Sequence, residues 1–216
     1  MKRNHFIQRL ALVALFASSF SHAQSTSPEV ASALQMQETI QRELGPAPQG
    51  FLWQVHKTAV FPKPTTWHEQ QSAGSSAGIP FSTYAASPER FSQTQMFEMG
   101  LTVQIINGSQ RLRNVAANQM ALVYLKPFLD AHKKEDILVL SQDTQGSYEL
   151  TLFRYQDAPP GMTPIIVHKM ILANNSTYSV HVFTFESPVS TWERNWAAYG
   201  TPFMRQVNIL SSTPNR

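Results

Sequence analysis

Gly74-Ser75-Ser76-Ala77-Gly78 matches the G-x-S-x-G pattern of a nucleophile elbow. Asp157, followed by His168 or His181, completes the chain order of an α/β-hydrolase triad. Ser76 would then be the attacking group of a secreted serine hydrolase. That chemistry needs a buried strand before the serine and a helix after it, so that the hydroxyl stands out on a strained turn. The run before it, Trp67-His-Glu-Gln-Gln-Ser72, is polar, and the run after it, Ile79-Pro-Phe-Ser-Thr-Tyr84, is extended and contains proline. These surroundings predict a flexible small-residue loop over 72–78 and no catalytic serine.

His168 and His181 offer a second chemistry. With Asn174-Asn175 as a two-residue hairpin turn, the two histidines fall directly opposite each other, with Cβ atoms about 5 Å apart. Two imidazoles so placed suit Zn²⁺ or Cu²⁺, or form a pH-sensitive pair, which makes His168 and His181 the candidate metal ligands. Zinc takes at least three protein ligands. Glu149, Asp157 and Glu186 are near in sequence, but their positions are not fixed by it. The plainer reading is a partly exposed cross-strand polar pair.

The remaining chemistry-bearing residues are sparse. His56 and His68 read as structural or surface groups, and His132 as a cation at a helix C-terminus. There is no Gly-rich phosphate loop, H-E-x-x-H run or EF-hand loop, and no cofactor is expected. The chain has no cysteine, which excludes disulfides, thiolate metal sites and a cysteine nucleophile. Lys133-Lys134 is followed at once by Glu135-Asp136, a solvated mixed patch. Asn107-Gly-Ser109, Asn174-Asn-Ser176 and Asn175-Ser-Thr177 match glycosylation sequons, and turn formation accounts for them equally well. Trp67, Trp192 and Trp196 have the size to line an apolar pocket, but aromatic stripes of this kind ordinarily face a core.

The N-terminus reads as an address. Lys2, Arg3 and Arg9 precede an apolar run from Leu10 to Ala17, and Ser21-His22-Ala23 supplies small residues for cleavage. Residues 1–23 are therefore expected to be a signal peptide, too short to span a bilayer. The leader takes with it three of the 17 basic residues and none of the 14 acidic ones, so the remaining chain has no formal net charge. That removes the long-range attraction expected of a nucleic-acid binder. No later apolar stretch reaches the length of a transmembrane helix, and the expected location is periplasmic or secreted.

The elements that must position these residues follow from pattern. A first helix is expected over 27–44, with Ser27 as cap and Pro28 at the first helical position. A Pro/Gly linker then closes an N-terminal segment over 24–50. Strands are expected at Phe51–Lys57, Thr66–Gln70, Pro80–Ala85 and Met96–Ile106. A central helix is expected from Ser109 to about His132, kinked or shortened at Pro127. Two hairpins follow, Ile137–Ser141 with Tyr148–Tyr155 and Ile165–Ala173 with Tyr178–Glu186. Ser190-Thr-Trp-Glu193 is a capping-box sequence. It opens a helix striped with Trp192, Trp196, Tyr199, Phe203, Val207 and Leu210 and broken near Gly200-Thr201-Pro202. Consecutive hairpins with two long amphipathic helices predict an α+β fold, an antiparallel sheet sandwiched between helices over residues 51–210, with 211–216 as a tail.

Several stretches resemble the PsbP-like family. Phe61-Pro-Lys-Pro-Thr-Thr-Trp67 is similar to its early strand, and Ser87-Pro-Glu-Arg-Phe91 with Gly100-Leu-Thr-Val103 to its middle edge. Tyr178-Ser-Val-His-Val-Phe-Thr-Phe185, with Trp192 and the aromatic last helix, is similar to its closing hairpin and helix. The resemblance covers roughly residues 50–210 and implies an α/β/α sandwich. It supplies no shared catalytic set, so no residue role is carried across. It implies a non-catalytic binding or assembly factor of the cell envelope, acting on an envelope protein or small ligand. The alternatives are the Ser76 hydrolase and a divalent-metal binder through His168 and His181.

Overall fold

The computed structural model describes residues 28–76, 78–91, 97–108, 114–158 and 161–210. The chain divides into two units, Met1–Glu38 and Thr39–Arg216. Helix α1 (Pro28–Leu44) crosses that boundary. The leader and the expected cap at Ser27 lie outside the described residues. Within the larger unit, Ile40 is buried in an apolar cluster with Trp53 and Val60, and Leu44 packs against it.

Among the described residues, ten strands form two antiparallel sheets. The smaller joins β1 (Phe51–His56), β2 (Ala59–Pro64) and β10 (Asn208–Ile209) in the order β1-β2-β10. The larger holds β3 (His68–Ser76), β4 (Ile79–Ser87), β5 (Gly100–Asn107), β6 (Ile137–Gln145), β7 (Tyr148–Asp157), β8 (Ile165–Asn174) and β9 (Ser179–Pro188). Its order is β3-β4-β5-β9-β8-β7-β6. The fold is α+β with an antiparallel sheet covered on both faces, as expected, but one cover is not only helical. Phe61 of β2 packs edge-on against Tyr84 of the large sheet, with ring centroids 5.2 Å apart, and Phe203 meets it from the C-terminal helix at 5.8 Å. The small sheet and that helix together cover this face around Val103, Phe183 and Phe185.

Helix α2 (Ala117–Ala131) covers the other face, burying Met120, Ala121 and Leu125 over Val167, Ile171 and Val182. Its start is set by tertiary structure. Asn175 Oδ1, from the β8–β9 loop, accepts the Ala117 and Asn118 N–H groups at 2.8 and 3.4 Å, satisfying donors that a helix end leaves open. The helix runs through Pro127, which therefore does not end it. Pro127 lies on the exposed side, where the Val123 carbonyl that it leaves without an N–H partner can face water.

Trp192 to Phe203 of the C-terminal stripe lie in α3 (Trp192–Asn195), a π-turn over Trp196–Gly200 and α4 (Thr201–Arg205), which run on without a break, while Val207 and Leu210 fall beyond the helix on either side of β10. The Thr201 N–H donates to the Trp196 carbonyl five residues back, so the wide turn replaces the expected interruption. The capping box does not form. No side chain caps α3; instead Asn195 Nδ2 donates to Ser187 Oγ at 2.8 Å and to Thr191 Oγ1 at 2.9 Å.

One ionic contact ties the two sheets together. Lys63 of β2 is buried, and its Nζ donates to Glu69 Oε2 of β3 at 3.0 Å and to the Trp67 carbonyl at 3.3 Å. Tyr84 OH donates to the same Glu69 oxygen at 2.7 Å. That hydrogen bond, helped by Lys63, holds the Glu69 carboxyl below its usual range despite partial burial. Glu69→Gln leaves the buried ammonium without its anion. Because half of the Glu69 side chain is in water, a loss of about 2 kcal/mol is expected in urea unfolding. Adding Lys63→Met should recover most of it; a Glu69→Gln protein as stable as its parent would contradict this role.

Candidate functional site

The residues expected to meet in a triad are dispersed. Ser76 pairs with Ile79 at the end of a hairpin between antiparallel strands, and Gly78 takes the left-handed conformation, φ 76°, in its turn. Residues 72–76 are strand, so the expected loop shrinks to this turn. No helix follows the serine, and the elbow geometry is absent. Ser76 is on the outer strand β3. His181 on β9 is three strands away, about 14 Å across the sheet, and His168 on β8 and Asp157 on β7 are farther.

The histidine pairing also differs from expectation. His168 stands opposite Phe185 and His181 opposite Leu172. The β8–β9 connection is a four-residue loop, not a two-residue turn. Asn174 Oδ1 accepts the Ser176 and Thr177 N–H groups, and Tyr178 adopts φ 52° to re-enter the ladder. The shift separates the two histidines by four positions, about 13 Å along the strands, so they cannot share one metal ion. No group of three potential metal ligands occurs among the described residues.

Both histidines serve as neutral packing groups. The His168 ring lies 4.4 Å from Trp196, and Arg154 Nε donates to its Nδ1 at 3.4 Å. Arg154 also spans the stacked Trp192 and Trp196 rings, at 4.7 and 5.2 Å. His181 Nε2 bonds the Thr58 hydroxyl at 2.8 Å, while its buried Nδ1 has no partner among the described residues. Burial pulls both down to about 4, with Arg154 adding to the effect at His168. Trp67 and Trp192 are core residues.

The α2 side of the sheet holds Lys169, which sequence reasoning passed over, together with Glu186, Asp157 and His132, which it named but could not bring together. Lys169 on β8 stands opposite Thr184, with its Nζ 5.8 Å from the Phe128 ring of α2. Glu186, two residues beyond Thr184 on β9, shares this face. Asp157 closes the row of acids on β7, with its Oδ1 3.9 Å from His132 Nε2. Tyr155 packs between Phe128 at 4.3 Å and His132 at 4.9 Å. Burial pushes the Glu186 carboxyl up to about 7; Lys169 pulls it back and Asp157 adds to the rise. Burial lowers the Lys169 ammonium, against the pull of Glu186 and Asp157. A signal existed: each is a single charge inside an otherwise apolar strand, Ile165-Ile-Val-His-Lys-Met-Ile-Leu172 and Val180-His-Val-Phe-Thr-Phe-Glu186.

Between α2 and strands β4 and β5 is a recess of about 80 Å³. Phe81 and Ile106 of the sheet and Met120, Val123, Tyr124 and Pro127 of α2 line it. Of the lining residues, Tyr124 donates its OH to Gln104 Oε1, and Gln104 Nε2 donates in turn to Thr83 Oγ1. The volume decides what can enter. Cofactor and drug-sized sites occupy about 300–1,000 Å³, and a benzene-binding cavity about 150 Å³. The recess fits one apolar side chain.

By sequence, no family model matches the chain, and no curated protein does. Among solved structures it is similar to cyanobacterial PsbP (CyanoP) from Synechocystis sp., with 13% identity and a TM-score of 0.45, over 74% of this chain and 92% of that one. A crystal structure from Bacteroides thetaiotaomicron matches at 12% identity and a TM-score of 0.38, over 72% of this chain and 46% of that one. These likenesses concern the arrangement of elements and assign no activity. The stretches that carry the sequence resemblance fall on β2 and the turn after it, on the end of β4 with β5, and on β9 with the C-terminal helix. No helix among the described residues is long and apolar enough to cross a membrane.

Proposed function

We propose that this chain is an exported, non-catalytic accessory protein of the cell envelope, and that it engages a protein partner through the recess beside α2. One observation carries the reading: an apolar recess sized for a single side chain, rimmed by the exposed Val123 and Pro127. The separation of Ser76, Asp157, His168 and His181 over four strands supports binding over hydrolysis. The leader-like residues 1–23 support export.

A photo-crosslinking amino acid at Val123, and separately at Ser72 on the far strand β3, tests the partner reading in cells expressing the full chain. A discrete adduct from position 123, absent from position 72 and abolished by Pro127→Arg, is the expected result. Equal labelling from both positions overturns it. Fluorophosphonate labelling that is lost in Ser76→Ala would instead establish the hydrolase. Export is read from the mature N-terminus: cleavage after Ala23 leaves Gln24 first, whereas a retained Met1 contradicts it.

A further inference from the structure

The α2 face of the large sheet carries a set of polar side chains that the protein leaves without partners. Thr102 of β5 stands opposite Thr184 of β9, and Thr184 opposite Lys169 of β8. Glu186 lies two residues beyond Thr184, so it shares this face as a diagonal neighbour of Lys169, about 7–8 Å away at the backbone. Two phenylalanine rings flank the group. The Phe128 ring of α2 is centred 5.8 Å from Lys169 Nζ. Phe97 lies over Gly100, the cross-strand partner of Glu186, where an added Cβ would strike the ring.

Neighbouring polar groups on this face are engaged. Gln104 bonds Tyr124 and Thr83, and Asp157 faces His132 at 3.9 Å. Thr102, Thr184, Lys169 and Glu186 differ. Among the described residues their side chains make no hydrogen bond and no closed ion pair, yet none of their polar ends is sealed from solvent. Lys169 and Glu186 attract each other across a gap. Stability does not account for the pair, because apolar residues of matching volume in place of buried opposite charges are ordinarily neutral or stabilising. Opposite charges held near each other without touching suit a molecule that fits between them.

We propose that Lys169, Glu186, Thr184 and Thr102 form a binding site for a small zwitterion of the α-amino acid class. Its carboxylate takes the Lys169 ammonium and the two threonine hydroxyls, and its ammonium takes the Glu186 carboxylate. Charge selects this class. A simple anion drawn to Lys169 is repelled by Glu186, a simple cation drawn to Glu186 is repelled by Lys169, and a neutral polyol leaves both charges unmatched. A molecule bearing both charges on one carbon satisfies both and adds no net charge to a half-buried site. The site is apart from the recess lined by Val123 and Pro127, and it stands independently of any protein partner there.

The test is an NMR titration of the full chain with L-alanine at pH 8, where the Glu186 carboxyl, pushed up to about 7, is ionised. Saturable amide shifts centred on Thr102, Lys169, Thr184 and Glu186 are expected, with a Kd of about 1 mM or tighter. Propionate and ethylammonium each carry one of the two charges and should bind at least about tenfold more weakly. Lys169→Met and Glu186→Gln should each abolish saturation. Thr184→Val keeps the side-chain shape and both charges, and should weaken binding about fivefold with unchanged circular dichroism, so the outcome does not depend on how the charge variants fold. No saturation at about 50 mM L-alanine overturns the proposal. So does propionate binding as tightly as L-alanine, which would show a site for anions alone, or shifts centred elsewhere in the chain.

Discussion

Lowering the pH from 7 to 4 is expected to destabilise the fold by about 3 kcal/mol, the net of two opposing effects. His168 and His181 are held at about 4, against 6.5 for an unfolded histidine. Between those values the unfolded chain binds protons that the folded chain refuses. The stability the two histidines contribute is complete above pH 6.5 and is lost as the pH falls to 4, about 3 kcal/mol for each. Glu186 acts in the other direction. Its carboxyl is pushed up to about 7 against 4.5, so the folded state keeps a proton that the unfolded state releases. Its contribution is complete below pH 4.5 and is lost as the pH rises through 7, again about 3 kcal/mol. Glu186→Gln removes this offset and should about double the loss on acidification, whereas His181→Gln should flatten the profile. Urea midpoints measured across this range decide the matter. A Glu186→Gln profile no steeper than the parent's would show that the carboxyl is not held protonated.

Gly200→Ala should destabilise the protein by about 3 kcal/mol, reversing the usual sign of a glycine-to-alanine change within a helix. Backbone strain is not the reason, since Gly200 has ordinary helical angles, φ −63° and ψ −46°. Space is the reason. A Cβ there would lie 2.3 Å from Trp196 Cε3 and 2.9 Å from Phe185 Cδ1. Trp196 has little freedom to move, because it stacks on Trp192 at 5.2 Å and packs against the tilted His168 ring at 4.4 Å. At a few degrees per kcal/mol, the melting temperature should drop by roughly 10 °C, with a change in the near-ultraviolet tryptophan signal. An alanine variant as stable as the parent would mean that the π-turn can open without disturbing the tryptophan stack.

The sequence made most of the large sheet legible, and its failures have physical causes. Alternation identified β5, β7, β8 and β9, because each presents apolar side chains in a two-residue rhythm or is buried on both faces. Strand β2 was reached only through the resemblance of Phe61–Trp67 to an early strand, because alternation does not mark a segment that holds Pro62 and Pro64. The structure accepts them where β2 has lost its β10 neighbour, which pairs only with Ala59 and Val60. The end of β3 looked like a linker because Ser72-Ala-Gly-Ser-Ser76 has no apolar residue larger than alanine, yet it pairs through backbone alone. The β8–β9 register was lost on the turn: two asparagines suggest a two-residue loop, and only the Asx contacts of Asn174 reveal four. The cluster of Lys169, Glu186, Asp157 and His132 is assembled from two strands, a strand end and a helix end, and no local pattern could bring them together.

The capping of α2 by Asn175 has a kinetic consequence. The side chain that terminates the first helical turn is supplied from 58 positions downstream. Asn175 Nδ2 and Asn118 Nδ2 both donate to Glu149 Oε1, so helix, loop and β7 meet at one carboxylate. Nucleation of this helix therefore waits for long-range loop closure, and its amides should gain protection late in refolding, in step with those of the β8–β9 hairpin. Native-state hydrogen exchange should show the same two segments opening as a single cooperative unit.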